Sequence, residues 1–336
     1  AAAASDTVLL SNGIFHGEGN RNISFFGKAI VVCSAADDPD SCTIDCEGTG
    51  EEIRRGFIFE MTEGPGSVLR GVSIVNGTAY HPNPGYAEYG GAIYCDSASP
   101  TIDYCRISSC EADMGGGIGV SNGSPTLVGC NVSSCYAEVY GGGIYLEHGP
   151  FLVSDCTVRD CLADDDGGGV YFYNLSPGQT EISNCDILNN DSAGGGGGIY
   201  VGTNQEGASV LVSECRISHN CCTGGGGGFL HQGGGGTEIS LVGCELTYNY
   251  AFDDGGGLLG QGSPFTEWEI AGCTALGNVA VRGGGLCFDD AGEFYLHNSI
   301  VAFNLGGGGV RYRLDCAAGV SCCDIYGNEG GDWVGP

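Results

Sequence analysis

Short apolar segments alternate with glycine-rich and polar stretches along most of this chain. Nine glycine motifs each end on an apolar residue: Ile93, Ile118, Ile144, Val170, Ile199, Phe229, Leu258, Leu286 and Val310. Successive members lie 25, 26, 26, 29, 30, 29, 28 and 24 residues apart. A period of this length is the signature of a repeat architecture, in which each repeat is one structural unit.

A second motif, C-x-[IVL]-x-x-[C/N], runs in phase with the first, as in Cys105–Cys110 and Cys215–Asn220. Its first position is held by Cys105, Cys130, Cys156, Cys185, Cys215, Cys244, Cys273, Asn298 and Cys323. Its last position is held by Cys110, Cys135 and Cys161, and then by Asn190, Asn220, Asn249, Asn278, Asn304 and Asn328. Each repeat therefore carries two short strand-like pieces separated by polar loops.

The two motifs together predict an all-β, right-handed parallel β-helix of roughly twelve coils, because 65 glycines and short strands do not suit helical repeats. Equivalent residues then stack about 4.8 Å apart, which gives inward cysteine and asparagine ladders. We expect one domain over residues 1–336. Residues 1–88 form less regular coils, 89–328 form nine regular coils, and 329–336 form an uncapped end that continues in the native chain.

The GGA[ILV] and FxxN repeats resemble those of chlamydial polymorphic outer-membrane proteins. The segments Asp6–Asn12, Gly17–Ile30, Cys42–Gly48, Arg55–Phe57 and Gly71–Gly77 look like those of large secreted β-helix proteins predicted from planctomycete and environmental genomes. The resemblance covers residues 6–334. It implies a right-handed β-helix and a secreted protein, and it implies no particular reaction.

The composition limits the partners. A formal net charge of −30 makes nucleic acid a poor partner and favours cations, cationic surfaces or neutral glycans. Twenty cysteines suggest an oxidising compartment. Cys221, Cys222, Cys316 and Cys322 lie outside the ladders and are the candidates for disulfides, while reduced thiols that fill the core are an equally compatible alternative. No apolar run is long enough for a membrane span.

Candidate chemistry is sparse. β-Helices include polysaccharide lyases and hydrolases, but the arginines are scattered and no catalytic set can be nominated, so we expect a protein without enzymatic activity. The acidic loops at Asp164, Asp165 and Asp166 and at Asp253 and Asp254 precede glycine turns and could bind Ca²⁺, although solvated loops are the simpler interpretation. No other cofactor is expected.

Tyr145, Tyr171 and Tyr200 follow the inward aliphatic residue in three consecutive repeats. They should point outward, where their rings could stack on sugars. The alternative is an aromatic ladder that covers the strand face.

Six N-x-[ST] sequons could carry glycans in a secreted protein. Asn131 is expected to face outward, and Asn22, Asn122 and Asn174 fall in loop-like stretches. Asn76 and Asn190 align with the inward ladder, where a glycan could not attach.

The function that follows is a structural or adhesive rod, extracellular or at the cell surface, glycosylated, and self-associating into fibres or surface assemblies. A glycan-binding surface module is the first alternative, with the tyrosine column as its site. A polysaccharide lyase or hydrolase is the second.

Overall fold

A computed structural model describes residues 2–49, 52–80, 87–203, 205–262, 264–313 and 316–335. Within these ranges the chain is all-β apart from two 3-10 turns, Glu18–Asn20 and Pro39–Ser41. Each regular coil passes through four sheets in turn, and named strands of consecutive coils pair in parallel. Three of the sheets contain twelve described strands each, and the fourth contains nine. The predicted parallel β-helix is confirmed.

Sheets 1 and 2 follow each other in every coil. Sheet 1 consists of Thr7–Leu10, Val31–Ser34, Val68–Arg70, Thr101–Asp103, Thr126–Val128, Leu152–Ser154, Gly178–Ser183, Ala208–Ser213, Glu238–Val242, Glu267–Ala271, Glu293–His297 and Ala317–Ser321. Sheet 2 consists of Gly13–Phe15, Cys42–Asp45, Ser73–Val75, Arg106–Ser108, Asn131–Ser133, Thr157–Arg159, Asp186–Leu188, Arg216–Ser218, Glu245–Thr247, Thr274–Leu276, Ile300–Ala302 and Asp324–Tyr326.

Sheets 3 and 4 complete the coil. Sheet 3 is narrow and consists of Thr78–Ala79, Glu111–Met114, Tyr136–Tyr140, Leu162–Ala163, Asp191–Ser192, Cys221–Cys222, Tyr250–Ala251, Val279–Ala280 and Leu305–Gly306. Sheet 4 begins after the glycine motif and consists of Ile23–Ser24, Phe57–Phe59, Ile93–Cys95, Ile118–Val120, Ile144–Glu147, Val170–Tyr173, Ile199–Gly202, Phe229–Gln232, Leu258–Gln261, Leu286–Asp289, Val310–Tyr312 and Trp333–Val334.

The core is a set of stacked columns that run through the middle of the β-helix. The apolar residues that end the nine glycine motifs, from Ile93 to Val310, are all fully buried. Strand register places each directly above its counterpart, as with Ile144 and Val170. Because burying one such side chain contributes about 1.5–3 kcal/mol, this column is a principal source of stability.

The asparagine ladder is confirmed from Asn190 to Asn328. Asn220 Nδ2 donates to Asn249 Oδ1 in the next coil (3.1 Å) and to the backbone oxygen of Ile187 (2.9 Å) in the preceding coil. The same Asn249 Oδ1 accepts from the Asn220 backbone N–H (3.0 Å). The ladder thus satisfies buried amides that would otherwise be costly.

The cysteine ladder is confirmed from Cys105 to Cys273, and it continues in register through Ser299 to Cys323. Cys185 N–H donates to Cys215 Sγ (3.4 Å), and Cys273 N–H donates in the same way to Ser299 Oγ (3.0 Å). Ser299, not Asn298, therefore occupies the inward position, and Asn298 forms the corner before it with φ of 51°. The expected place of Asn298 was wrong by one residue.

The predicted disulfides are wrong. All twenty cysteines are free thiols, including the four candidates Cys221, Cys222, Cys316 and Cys322. Most are buried, where the sulfur acts as a small apolar filler and a weak hydrogen-bond donor. The thiol count therefore gives no argument for an oxidising compartment.

Left-handed corners turn the chain from sheet 1 to sheet 2 and again from sheet 2 to sheet 3. Many are not glycine: Tyr104, Asp155, Asn184 and Glu214 at the first corner, and Ser109, Asp160, His219, Tyr248 and Phe303 at the second. An aromatic ring at a corner covers a glycine in the next coil. A Cβ on Gly129 would lie 2.9 Å from the Tyr104 ring, and one on Gly277 would lie 2.7 Å from the Tyr248 ring.

Candidate functional site

The outer face of sheet 4 carries two columns that differ in burial. The first column contains Tyr145, Tyr171, Tyr200, Leu230, Leu259 and Cys287, which pair in register from coil to coil. These side chains form an apolar cluster separate from the main core. The second column contains Glu147, Tyr173, Gly202, Gln232, Gln261 and Asp289 in the same coils.

The first column is buried because the glycine turns pass beside it. A Cβ on Gly195 would lie 2.5 Å from Leu230 Cδ2, and one on Gly225 would lie 2.4 Å from Leu259 Cδ2. Only glycine lets the turn approach these side chains so closely. The turns form a ledge along one side of the face, and the first column lies under this ledge.

The glycan-stacking role expected for Tyr145, Tyr171 and Tyr200 does not fit this arrangement. The three rings do point away from the core, but they stack on each other, with centroids 5.4 Å and 4.5 Å apart and planes within 10°. Tyr140 covers Tyr171 from the side at 4.7 Å. Their faces are occupied by neighbouring rings, so these tyrosines form the aromatic ladder that was the alternative.

A groove of about 370 Å³ lies beside this ladder, toward the second column. Tyr173 is exposed, whereas Gly202, Gly233 and Gly262 leave the floor without side chains. The hydroxyl of Tyr200 reaches the groove and donates to Gln232 Oε1 (2.7 Å). An aromatic ring and amide groups thus surround a floor made of backbone.

A cleft of about 230 Å³ follows on the same face, two coils further along the chain. The cleft is lined by Arg282, Arg311 and Arg313, which are three of the ten arginines of the chain. Arg282 pairs with Asp254, and Arg313 Nη1 lies 2.6 Å from Asp289 Oδ1. Two carboxylates and three guanidinium groups therefore meet in one concavity of a strongly acidic protein.

Asp254 has a perturbed environment in this cleft. Burial raises the pKa of Asp254, and the guanidinium groups of Arg282 and Arg311 oppose that rise. Its Oδ1 is buried and has no hydrogen-bond partner among the described residues. Perturbed carboxyl groups in clefts are candidates for functional sites.

The sequence did not identify this cleft. Arg282 precedes one strand of sheet 4, while Arg311 and Arg313 belong to the next coil. Arg311 continues the outward column of sheet 4 that runs from Tyr145 to Cys287, but the other members of that column are uncharged, so no pattern joined the three arginines. The only signal available was local: three of ten arginines occur within residues 282–313.

The acidic loops proposed as calcium sites have other partners. Tyr136 hydroxyl donates to Asp164 Oδ2 (2.6 Å), Gly195 N–H donates to Asp166 Oδ1 (2.6 Å), and Asp254 pairs with Arg282. Asp165 and Asp253 are exposed. Within the described ranges, no group of three or more metal-ligating side chains converges.

The sequons differ in access. Asn190 is fully buried in the ladder, as expected, while Asn76 is exposed. Asn131 is half-buried, with Oδ1 enclosed. The amide nitrogens of the three loop sequons are engaged: Asn22 with the Ile53 oxygen, Asn122 with Asp96 Oδ1 and Asn174 with His148 Nε2.

No helix among the described residues has the length and apolar character that a membrane crossing requires.

Two solved structures are similar to this chain at low identity. The catalytic domain of a GH87 α-1,3-glucanase, in complex with tetrasaccharides, is 11% identical with a TM-score of 0.42, over 97% of this chain and 65% of that chain. The A-module of the mannuronan C-5 epimerase AlgE6 from Azotobacter vinelandii is 14% identical with a TM-score of 0.34, over 99% of this chain and 91% of that chain. This chain thus spans less than two thirds of the glucanase domain.

No curated protein sequence matches this chain significantly. The family model described as "Right handed beta helix region" matches residues 5–180, which is more than half of the chain. That match agrees with the stacked parallel sheets and the inward ladders. The chain belongs to the right-handed β-helix family.

Proposed function

We propose that this protein is an adhesive β-helix rod that binds an extended glycan along the outer face of sheet 4. The observation that carries the proposal is that the glycine-floored groove and the arginine cleft lie along the same face. The rigid stack of coils supplies a straight scaffold, and the groove supplies the adhesive contact. An adhesive role places the protein outside the cell or at its surface, which is part of the proposal.

The groove has the chemistry that sugars require. Tyr173 is 42% exposed, so its ring is open to a sugar face. The glycine floor at Gly202 and Gly233 allows close approach of a flat pyranose ring, and Gln232 can exchange hydrogen bonds with hydroxyl groups. Ligand sites of this kind combine an apolar surface with a few polar groups that fix orientation.

The arginine cleft would hold an anionic substituent of the same glycan. Arg311 lies in register with Cys287 on the floor of the face, and it lines the cleft together with Asp254. A planar guanidinium group matches the two oxygens of a carboxylate or sulfate. The proposal therefore favours an acidic polysaccharide over a neutral one.

The experiment is affinity electrophoresis or calorimetry on a panel of acidic and neutral polysaccharides. Tyr173→Ala should weaken binding by about fivefold to 100-fold, since loss of a stacked ring costs about 1–3 kcal/mol. Tyr295→Ala is the matched control, because Tyr295 is similarly exposed but lies on sheet 1. If Tyr173→Ala, Tyr295→Ala and the unchanged protein bind the polysaccharides equally, the groove is not the binding site.

A lyase or hydrolase is the second candidate, favoured by Asp254. A carboxyl group with a raised pKa beside Asp289 and three arginines has the features of a general acid. Asp254→Asn should abolish turnover of any polysaccharide that the protein cleaves, and Asp253→Asn, at the exposed neighbouring carboxylate, should not. The absence of new reducing ends or unsaturated products from every bound polysaccharide would exclude this candidate.

A further inference from the structure

An exposed apolar patch lies on the edge of the molecule formed by sheet 3. It spans three consecutive coils and is here called the edge patch. Its members are Tyr248, Tyr250, Phe252, Val279, Val281, Ile300, Phe303 and Leu305. Tyr250, Val279 and Leu305 pair in register along sheet 3. Tyr248 and Phe303 lie at the corner before this sheet, Phe252 and Val281 lie in the turn after it, and Ile300 begins the adjoining strand of sheet 2.

The side chains of this patch are displayed to solvent. Val281 is 67% exposed and Phe252 is 60% exposed, although both are apolar. Tyr248 and Phe303 stand at left-handed corners, where the ring lies flat over a glycine of the next coil. The two rings therefore present their outer faces in the same direction.

The coils just before the patch carry neither tyrosine nor phenylalanine at the same positions. The corner is Asp160, Asn189 and His219 in the three preceding coils. The outward position of sheet 3 is Leu162, then Asp191 and Cys221, before it becomes Tyr250. The fold thus accepts polar groups here, and the concentration of exposed apolar groups on three coils is the mark of an interaction site.

We propose that the edge patch is the contact through which two copies of this chain associate side by side. A two-fold axis through the patch would place it against itself, which is the commonest arrangement in soluble oligomers. A basic partner would instead be drawn to the acidic remainder of the surface. The net charge of −30 also opposes adsorption to an anionic lipid surface.

The area of the patch is sufficient for a modest dimer. Eight partly exposed side chains of this size present on the order of 700 Å² of apolar surface, since a whole aromatic side chain buries about 150–250 Å². A standard interface buries about 800 Å² per partner. Association in the micromolar range is therefore expected, because net negative charge on both copies opposes it.

The net charge predicts the direction in which salt changes the affinity of the dimer. Salt screens the repulsion between two copies of charge −30, whereas contact between apolar surfaces persists. The dimer should therefore tighten as ionic strength rises. Binding of a charged partner by attraction would weaken under the same change.

The experiment is sedimentation velocity of the full chain over a dilution series at low and high salt. Val281→Glu should raise the dissociation constant about tenfold or more, and its high exposure keeps folding intact. Tyr248→Ser should also weaken the dimer. Tyr104→Ser is the matched control, because its ring covers Gly129 at an equivalent left-handed corner outside the patch.

Several outcomes would overturn the proposal. These are a chain that stays monomeric at the highest concentration and salt, a dimer that Val281→Glu leaves unchanged, and a dimer that weakens with salt. Binding of zwitterionic lipid vesicles by the monomer, lost in Val281→Glu, would identify a membrane surface as the occupant instead. Glycan binding is measured separately, so failure here leaves the function of the sheet 4 groove unaffected.

Discussion

At the scale of single residues, this β-helix accepts backbone strain that most proteins avoid. Left-handed conformation costs a non-glycine residue about 1–2 kcal/mol, yet Tyr104, Tyr248 and Phe303 adopt it with φ between 51° and 56°. Hydrogen bonds to the next coil hold each corner in place, as from Tyr248 N–H to the Leu276 oxygen (3.0 Å). The aromatic corners also cover a glycine in the following coil, which recovers part of the cost through apolar contact.

Asp166 provides a test of electrostatics in the ledge. Burial raises the pKa of Asp166 to about 6, with Asp165 adding to the rise and the Gly195 N–H opposing it. Because the folded pKa is raised, the associated stability is present below pH 4 and is lost as the pH rises through 6. Asp166→Asn should therefore stabilise the protein by about 1–2 kcal/mol at pH 7.5.

Urea unfolding at pH 7.5 and pH 4 checks this prediction. The free energies of unfolding of the unchanged protein and of Asp166→Asn should differ at pH 7.5. They should converge at pH 4, where the native carboxyl group of Asp166 is already protonated. A constant difference across this range would show that the substitution acts through packing and not through charge.

At the scale of elements, the asparagine ladder is the feature that joins coils. Asn249 Oδ1 accepts from both the backbone N–H and the Nδ2 of Asn220, and Asn249 Nδ2 donates to the Ile217 oxygen (2.9 Å). Asn249→Ala leaves these buried groups without partners, at about 1–3 kcal/mol each. We expect a loss of about 3–5 kcal/mol in the free energy of unfolding.

Asn328→Ala is the control for the ladder, because Asn328 is only half-buried and water can replace its bonds. Its expected cost is about 1–2 kcal/mol by chemical denaturation. Equal losses of unfolding free energy in Asn249→Ala and Asn328→Ala would show that burial does not determine the contribution of a ladder asparagine.

The triple glycine motif is the second such element. Each of its three positions requires glycine for a specific steric reason. The first glycine adopts a positive φ, 72° at Gly226. A Cβ on the second, Gly227, would lie 2.6 Å from the Gly256 oxygen, and one on the third, Gly228, would lie 2.6 Å from the Gly257 oxygen and 2.9 Å from Asn249 Nδ2. The close spacing between coils therefore leaves no room for a side chain at the second and third positions of the motif.

Gly228→Ala should destabilise the protein by about 3 kcal/mol or more, since neither contact can move without separating two coils. Gly64→Ala should be neutral or slightly stabilising, because its Cβ would meet nothing within 4 Å and its φ is not positive. Thermal unfolding followed by circular dichroism measures both. A tolerated Gly228→Ala would mean that the coils are less closely packed than the structure indicates.

Repetition explains what could be predicted from the sequence. The Ile93 column recurs in all nine regular coils and the asparagine ladder in the last six of them, so their place inside was readable from spacing. The burial of Tyr171 was not readable, because it depends on how closely the glycine ledge approaches. The arginine cleft depends on Arg282, Arg311 and Arg313, whose charge is not repeated at the equivalent positions of neighbouring coils, and single occurrences leave no periodic signal.

At the scale of the whole molecule, the cysteines behave as core residues. Burial raises the pKa of Cys105 and of Cys222 to about 12, so neither thiol ionises at neutral pH. Thiolates and not thiols react with disulfide reagents. In the native protein only exposed Cys322 should react rapidly, followed by half-buried Cys33, Cys221 and Cys323.

In denaturant without any reductant, all twenty thiols should titrate with a disulfide reagent. Mass spectrometry after alkylation of the native protein identifies the sites that react first. Fewer than twenty thiols in freshly unfolded protein would mean that disulfides form, in disagreement with the structure.

The pairing of each strand only with strands of adjacent coils has a consequence for how such a protein can change in evolution. Each strand of sheets 1, 2 and 4 within the stack pairs with one strand before it and one after it. Removing or duplicating one complete coil would leave every remaining ladder in register, whereas losing a few residues would break it. Length can thus vary in whole steps, and a surface feature such as the edge patch can be gained or lost on a few coils while the rest of the scaffold stays intact.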